Sequence, residues 1–162
     1  MEIGRRKPLV SPPPPDPVGP SDGPAVLTPA ECDALLRQSS VGRIAYVVDR
    51  WPVVIPVNYA FDGDDVVLRT DARSQLAAAT RHDYAQVALE LDSPVVLYKS
   101  GWSVLAYGRA SEVVDPDETT RLRTLPLEPW AGGIREHWIR IRLVQVTGRR
   151  LPQQGRYPNP VR

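Results

Sequence analysis

Between Gly42 and Thr70, three runs of β-branched and aromatic residues follow one another with only a turn's length between them. Residues 43–48 (RIAYVV) end at Asp49-Arg50, residues 52–61 (PVVIPVNYAF) end at Asp62-Gly63-Asp64-Asp65, and residues 66–70 (VVLRT) follow. A parallel crossover needs a dozen or more residues, so turns this short admit only antiparallel neighbours. Asp-Gly is hairpin chemistry. The rest of the chain must be arranged around this meander. Further strands are expected at residues 86–91, 102–114 and 138–147. The last alternates Ile139, Ile141 and Leu143 with Trp138, Arg140 and Arg142. Six antiparallel strands with short helices imply a small closed or partly closed barrel.

Three helices punctuate the strands. Thr28-Pro29-Ala30-Glu31 places Thr at an N-cap, Pro at the first helical position and Glu where a capping box needs it. Leu27 and Cys32 flank that cap as a hydrophobic staple, and the helix runs to about residue 39 on Leu35 and Leu36. A short helix is expected over residues 74–82. Another is expected over 115–125, acidic at its start and arginine-bearing later, as the macrodipole favours.

Proline marks the ends. Nine of the 18 prolines lie in the first 29 positions, where they remove backbone donors and fix φ near the polyproline value. Residues 1–26 therefore read as a disordered leader without helix or sheet, the alternative being a ligand for a proline-recognising domain. Residues 152–162 read as a flexible tail, which leaves one domain over residues 27–151. A net charge of +1 argues against a nucleic-acid partner. Cys32 has no partner for an intrachain disulfide and reads as a bystander thiol. No apolar run reaches membrane-spanning length and no signal-peptide core opens the chain, so a cytoplasmic protein with no membrane partner is expected.

The chemistry is sparse. His82 and His137 are the two histidines, without metal-ligand spacing, and read as surface or helix-end residues. Neither a P-loop nor a GxGxxG fingerprint is present. A chain so poor in acid–base groups takes its reactivity from a cofactor if it is an enzyme. Arg69-Thr70-Asp71-Ala72-Arg73-Ser74-Gln75-Leu76 ends a strand and opens a helix, bringing guanidinium groups, hydroxyls and helix amides to one spot suited to phosphate. Ordinary capping by Asp71 or Ser74 with solvated arginines is the competing reading. Pro56-Val57-Asn58-Tyr59 places a proline inside a strand, which implies an edge or bulge with free backbone groups, and an Asn that needs a partner. Such an array matches the donors and acceptors of a planar heterocycle; simple edge protection also explains Pro56. Trp102-Ser103 and Trp138 open two strands, where tryptophans serve as core or interface anchors more often than as cofactor contacts. Arg140 is either an anion clamp or part of a solvated face.

In order, GRIAYV, PVNYAF, VVLRT with its Ser-Gln-Leu helix, GWSVLAYGRASEV and the final W-IRI-L--VTGRR run resemble the pyridoxamine 5′-phosphate oxidase-like flavoproteins over residues 27–151. The resemblance implies a mainly β (α+β) fold, a six-stranded antiparallel split β-barrel with short peripheral helices. It also implies a homodimer with FMN at the subunit interface and a flavin-dependent oxidoreductase acting on a small molecule. By the same resemblance, Pro56, Val57, Asn58 and Tyr59 would line the isoalloxazine ring, and Arg69, Thr70, Ser74 and Gln75, with Leu76 beside them, would hold the phosphate end. Trp102 and Ser103, with Trp138 and Arg140, would come from the partner subunit or close the site. Relatives commonly carry Lys where Gln75 stands and Gly where Arg73 stands, so Arg73 would replace the missing charge. That departure leaves room for other ligands known in this fold, the 8-hydroxy-5-deazaflavin coenzyme of deazaflavin-dependent reductases or haem. It equally leaves room for a flavin- or haem-binding protein without catalysis.

Overall fold

Two tight turns set the register of the first three strands. Asp49 and Arg50 both adopt positive φ, 49° and 71°, the backbone that a two-residue hairpin demands. The second hairpin turns at Gly63, φ 65°, between the paired residues Asp62 and Asp65. The computed structural model describes residues 11–14, 24–95, 100–130, 132 and 135–151. Most of the expected leader (1–10 and 15–23) and the expected tail (152–162) lie outside the described residues.

The elements in order are β1 (Ala25–Val26), α1 (Pro29–Gln38), β2 (Val41–Val48), β3 (Trp51–Asp62), β4 (Asp65–Thr70), α2 (Gln75–Thr80), β5 (Ala85–Val95), β6 (Ser100–Glu112), α3 (Pro116–Leu122) and β7 (His137–Leu151). Every pairing is antiparallel, in the order β1-β7-β4-β3-β2-β5-β6, and β6 pairs again with β7. Six strands thus close into the expected barrel. β7 is long because it pairs with β4 at its start, with β6 along its length and with β1 at its end.

The short seventh strand corrects the expectation that nothing before residue 27 forms sheet. Ala25 and Val26 pair with Arg150 and Arg149, because Pro24 is the last proline before Pro29 and leaves their backbone groups free to pair. Residues 11–14 lie on the outer face of the barrel. Ser11, Pro12 and Pro13 help line a cavity of about 320 Å³ with Val47, Pro52 and Val144, and Gln145 Nε2 donates to the Pro13 carbonyl at 3.5 Å.

α1 begins as its sequence dictates. Thr28 Oγ1 accepts from the Glu31 amide at 3.3 Å, and Glu31 Oε2 accepts from the Thr28 amide at 2.8 Å. The helix seats Cys32 and Leu36 in the barrel core. Burial pushes the Cys32 thiol up from its ordinary value, with the Glu31 carboxylate adding to the rise, consistent with an inert packing residue. α1 approaches β7 at Gly148, where a Cβ would stand 2.8 Å from Cys32 Sγ and 2.9 Å from Leu27 Cδ1.

The core fills the barrel. Ile44, Tyr59, Val66, Leu68, Leu76, Leu89, Val104, Ile139 and Ile141 are among its members. A second, smaller cluster of Val67, Leu122, Leu127 and Trp138 glues α3 and the segment after it onto the outside of β4 and β7. Strand alternation explains the split: Leu68 and Ile139 point inward, while Val67 and Trp138 point outward to α3.

Candidate functional site

Strand register brings three of the sequence-derived segments to one end of the barrel. β3 pairs with β2 from Trp51 to Asn58 and with β4 only from Tyr59 onward. The Tyr59 amide donates to the Ser40 carbonyl at 3.0 Å. Hydrogen-bonding direction alternates along an antiparallel strand, so the main-chain groups of Pro52, Val54 and Pro56 point away from β2. On that side they have no strand partner among the described residues. Both prolines therefore stand where a missing N–H costs no ladder bond. The edge inferred at Pro56 is real, and it is exposed.

The neighbouring side chains divide. Asn58 Oδ1 accepts from the Trp130 amide at 2.9 Å, so its partner is the segment after α3. Val57 packs against the core, and Tyr59 is buried in it, its hydroxyl donating to the Leu36 carbonyl at 2.7 Å. Burial holds the Tyr59 phenol well above its ordinary value. These two side chains support the barrel from inside and do not face a ligand on the strand edge. Leu76 is likewise fully buried core.

One step past the Tyr59–Leu68 pair, β4 ends on Arg69 and Thr70. Arg69 Nε donates to the Arg135 carbonyl at 2.7 Å, and its guanidinium lies 5.4 Å from the Trp138 ring centre. The two terminal nitrogens of Arg69 have no partner among the described residues. Thr70 Oγ1 donates to Ser74 Oγ at 3.0 Å, and Ser74 Oγ also accepts from the Ala77 amide at 3.1 Å as the N-cap of α2. Gln75 is exposed at the first turn. Ser74 caps the helix, as the competing reading has it, and an uncommitted guanidinium edge stands beside it.

Arg73 behaves differently from the charge replacement expected of it. Its backbone amide and guanidinium both bind Asp71, at 2.8 and 3.2 Å. Those hydrogen bonds hold the Asp71 carboxyl below its usual range. The Arg73 side chain is 90 % exposed, so water screens the pair and Arg73 can exchange partners at little cost.

His137 is a residue the sequence reading passed over. It opens β7 directly across from Thr70, not on a surface or a helix end. Its Nδ1 lies 3.5 Å from Glu112 Oε1, and its buried Nε2 has no partner among the described residues. Buried polar atoms without a partner are uncommon and costly. Nothing in local sequence marked it, because the cross-strand neighbour that makes it notable is 67 positions away in the chain. With Asp71, Ala72, Arg73 and Glu136, His137 lines a cavity of about 570 Å³. No group of three or more metal-ligating side chains occurs among the described residues.

Trp138 and Arg140 have structural partners. Trp138 is 2 % exposed, packed under α3, with a buried Nε1 that has no partner among the described residues. Arg140 is no anion clamp: Asp62, Asp65 and Glu118 already surround its guanidinium. Burial disfavours that cation, but the three carboxylates hold its pKa above the ordinary value. Trp102 and Ser103 stand at the opposite end of β6 from Glu112, which neighbours His137. Ten residues of strand are about 33 Å, so one chain does not bring Trp102 to Arg69.

Comparison with known proteins places these features in context. The family model described as pyridoxamine 5′-phosphate oxidase matches residues 28–150. An uncharacterized protein of Mycobacterium tuberculosis is 30 % identical over 131 residues, 79 % of this chain and 86 % of that one. The FAD-binding protein of Mycobacterium smegmatis is 31 % identical, with a TM-score of 0.62 over 77 % of this chain and 95 % of its own. A conserved protein of unknown function from Corynebacterium diphtheriae is 28 % identical, with a TM-score of 0.65 over 78 % and 96 % of the two chains.

Proposed function

The chain belongs to the pyridoxamine 5′-phosphate oxidase family, and from that premise we propose a flavin-dependent oxidoreductase that binds FMN at a homodimer interface. The observation that carries this reading is the convergence, at one barrel end, of an unpaired strand edge and an uncommitted guanidinium. The edge ends at Pro56; the guanidinium is that of Arg69, with Thr70 and Ser74 beside it. The donor set fits a flavin. A phosphate takes the terminal nitrogens of Arg69 and the Ser74 hydroxyl, and the orphaned Nε2 of His137 stands on the same strand face as Thr70. The free main-chain groups of Val54 and Pro56 meet the polar edge of a planar ring.

Bound there, the flavin supplies hydride transfer at its ring. The chain supplies position. Arg69 fixes the anionic end through charge-assisted hydrogen bonds, and the Trp138 ring and Arg135 carbonyl keep that guanidinium from swinging away. Asn58, tied to the Trp130 amide, anchors the segment after α3 to β3. The homodimer is supported by the remoteness of Trp102 and Ser103 within one chain. It is also supported by an outer face carrying Val47 and Val54, which are 62 and 59 % exposed, since apolar patches of this kind mark association surfaces.

FAD in place of FMN is a second reading, favoured by the M. smegmatis relative, which binds FAD. Titration of the purified chain with FMN, FAD and the deazaflavin coenzyme, followed by absorbance and fluorescence, decides among them. Arg69→Gln is expected to weaken the bound flavin at least tenfold. Failure of all three to bind below about 100 μM, near −5.5 kcal/mol, overturns the proposal. Reduction of the bound flavin by a nicotinamide cofactor separates an oxidoreductase from a carrier.

A further inference from the structure

β6 and β7 set Arg109 directly opposite Arg142. Residues so paired have Cβ atoms roughly 5 Å apart, and like charges in that position repel. Neither guanidinium has a carboxylate partner among the described residues. This contrasts with the next pair on the same face, Ser111 and Arg140, where Arg140 is surrounded by three carboxylates. Arg109 is steadied by the Tyr84 ring, whose centre lies 5.3 Å from its guanidinium carbon.

The two arginines do not stand on an open sheet. They line a cavity of about 490 Å³ together with Arg81, Tyr84, Asp83 and Glu112. The two acids are turned to other tasks: Asp83 accepts from the Tyr84 amide at 2.8 Å, and Glu112 faces His137. Arg81 commits one nitrogen to the Ala72 carbonyl at 2.9 Å. Ala72 lines the neighbouring cavity at Arg73 and His137, so the two cavities adjoin. Their volumes suit a small-molecule ligand.

We propose that the Arg109–Arg142 cavity is a second anion site, which binds a phosphoryl or diphosphate group apart from the Arg69–Ser74 corner. A diphosphate offers both guanidinium groups bidentate acceptors and removes the cross-strand repulsion. The site does not depend on the flavin reading, since it is built from residues outside that corner. The phosphoryl group belongs either to the second half of a dinucleotide flavin or to a separate phosphorylated substrate.

Inorganic pyrophosphate is the probe. Titrated calorimetrically into the full chain carrying Arg69→Gln, it is expected to bind; adding Arg109→Gln and Arg142→Gln is expected to weaken that binding at least tenfold. In phosphate-free buffer, the Arg109→Gln/Arg142→Gln chain is expected to melt at or above the temperature of the parent, which also shows that it folds. FMN and FAD titrations of the same double variant identify the source. A loss confined to FAD assigns the site to a dinucleotide flavin, and unchanged binding of both flavins assigns it to a separate substrate. Undiminished pyrophosphate binding in the triple variant, or no binding to the Arg69→Gln chain, overturns the proposal.

Discussion

Tyr59 and Asp62 lie three residues apart on β3, and each meets the cost of leaving water in its own way. The Tyr59 hydroxyl spends its one proton on the Leu36 carbonyl, tying the barrel wall to the end of α1. Tyr59→Phe keeps the ring packing and leaves that carbonyl short of a donor, so a loss of about 1 kcal/mol is expected in urea unfolding. Flavin affinity should stay unchanged, because the side chain faces the core. Asp62 accepts from Arg121 at 2.6 and 2.7 Å and also from Arg140. Those hydrogen bonds, Arg121's first, hold its carboxyl well below the usual range. A depressed carboxyl binds fewer protons folded than unfolded. Its contribution is therefore complete above about pH 4, the unfolded value, and is lost as pH falls toward the folded one. Asp62→Asn should cost about 2 kcal/mol at neutral pH and flatten the stability profile below about pH 4. Urea titrations from neutrality into that acid range measure both. An unaltered acid slope would show that Asp62 does not govern the acid response.

At the scale of elements, α1 is attached to the barrel by a staple and a gap. Leu27 and Cys32 close over Gly148, and a methyl group there meets both at under 3 Å. Gly148→Ala should therefore destabilise by about 1–3 kcal/mol, the cost of overpacking a well-filled contact. Hydrogen exchange should rise first in α1, and uniform protection across the chain would refute the assignment. The start of this helix was legible because a capping box is local, written in four consecutive residues. So were the meander and its turns. β1 was not, because its pairing partners, Arg149 and Arg150, lie over 120 positions away and a two-residue strand has no periodicity to read. The candidate site divides along the same line. Pro56 and the Arg69–Ser74 turn carry local signatures of an edge and a cap. Tyr59, Leu76, Trp138 and Arg140 looked equally available in sequence, and only burial and the carboxylates of distant elements assign them to packing. His137 gains its interest wholly from standing across from Thr70.

For the whole molecule, the question is what completes a barrel whose outer face is apolar. Ala45 pairs with Val54 and Val47 with Pro52, and Val47 and Val54 are exposed on this outer side. Side chains on the inner side, Ile44, Val53 and Ile55, belong to the core. If a second copy docks on the two-stranded apolar patch bordering the free β3 edge, as proposed, it would stand beside the proposed ring site and bring its Trp102 and Ser103 toward Arg69 of the first. Charge placed in that patch should separate assembly from folding. Val54→Asp adds a carboxylate to an exposed position, so the monomer should keep its fold and its circular dichroism. In a buried interface the same unpaired charge costs several kcal/mol. Sedimentation velocity is expected to show a dimer for the parent chain and a monomer for Val54→Asp. If the site is shared between subunits, flavin affinity falls with the dimer even though Arg69, Thr70 and Ser74 are untouched. A monomeric variant that retains full flavin affinity would place the whole site within one chain and remove the reason for Trp102 to lie so far from it.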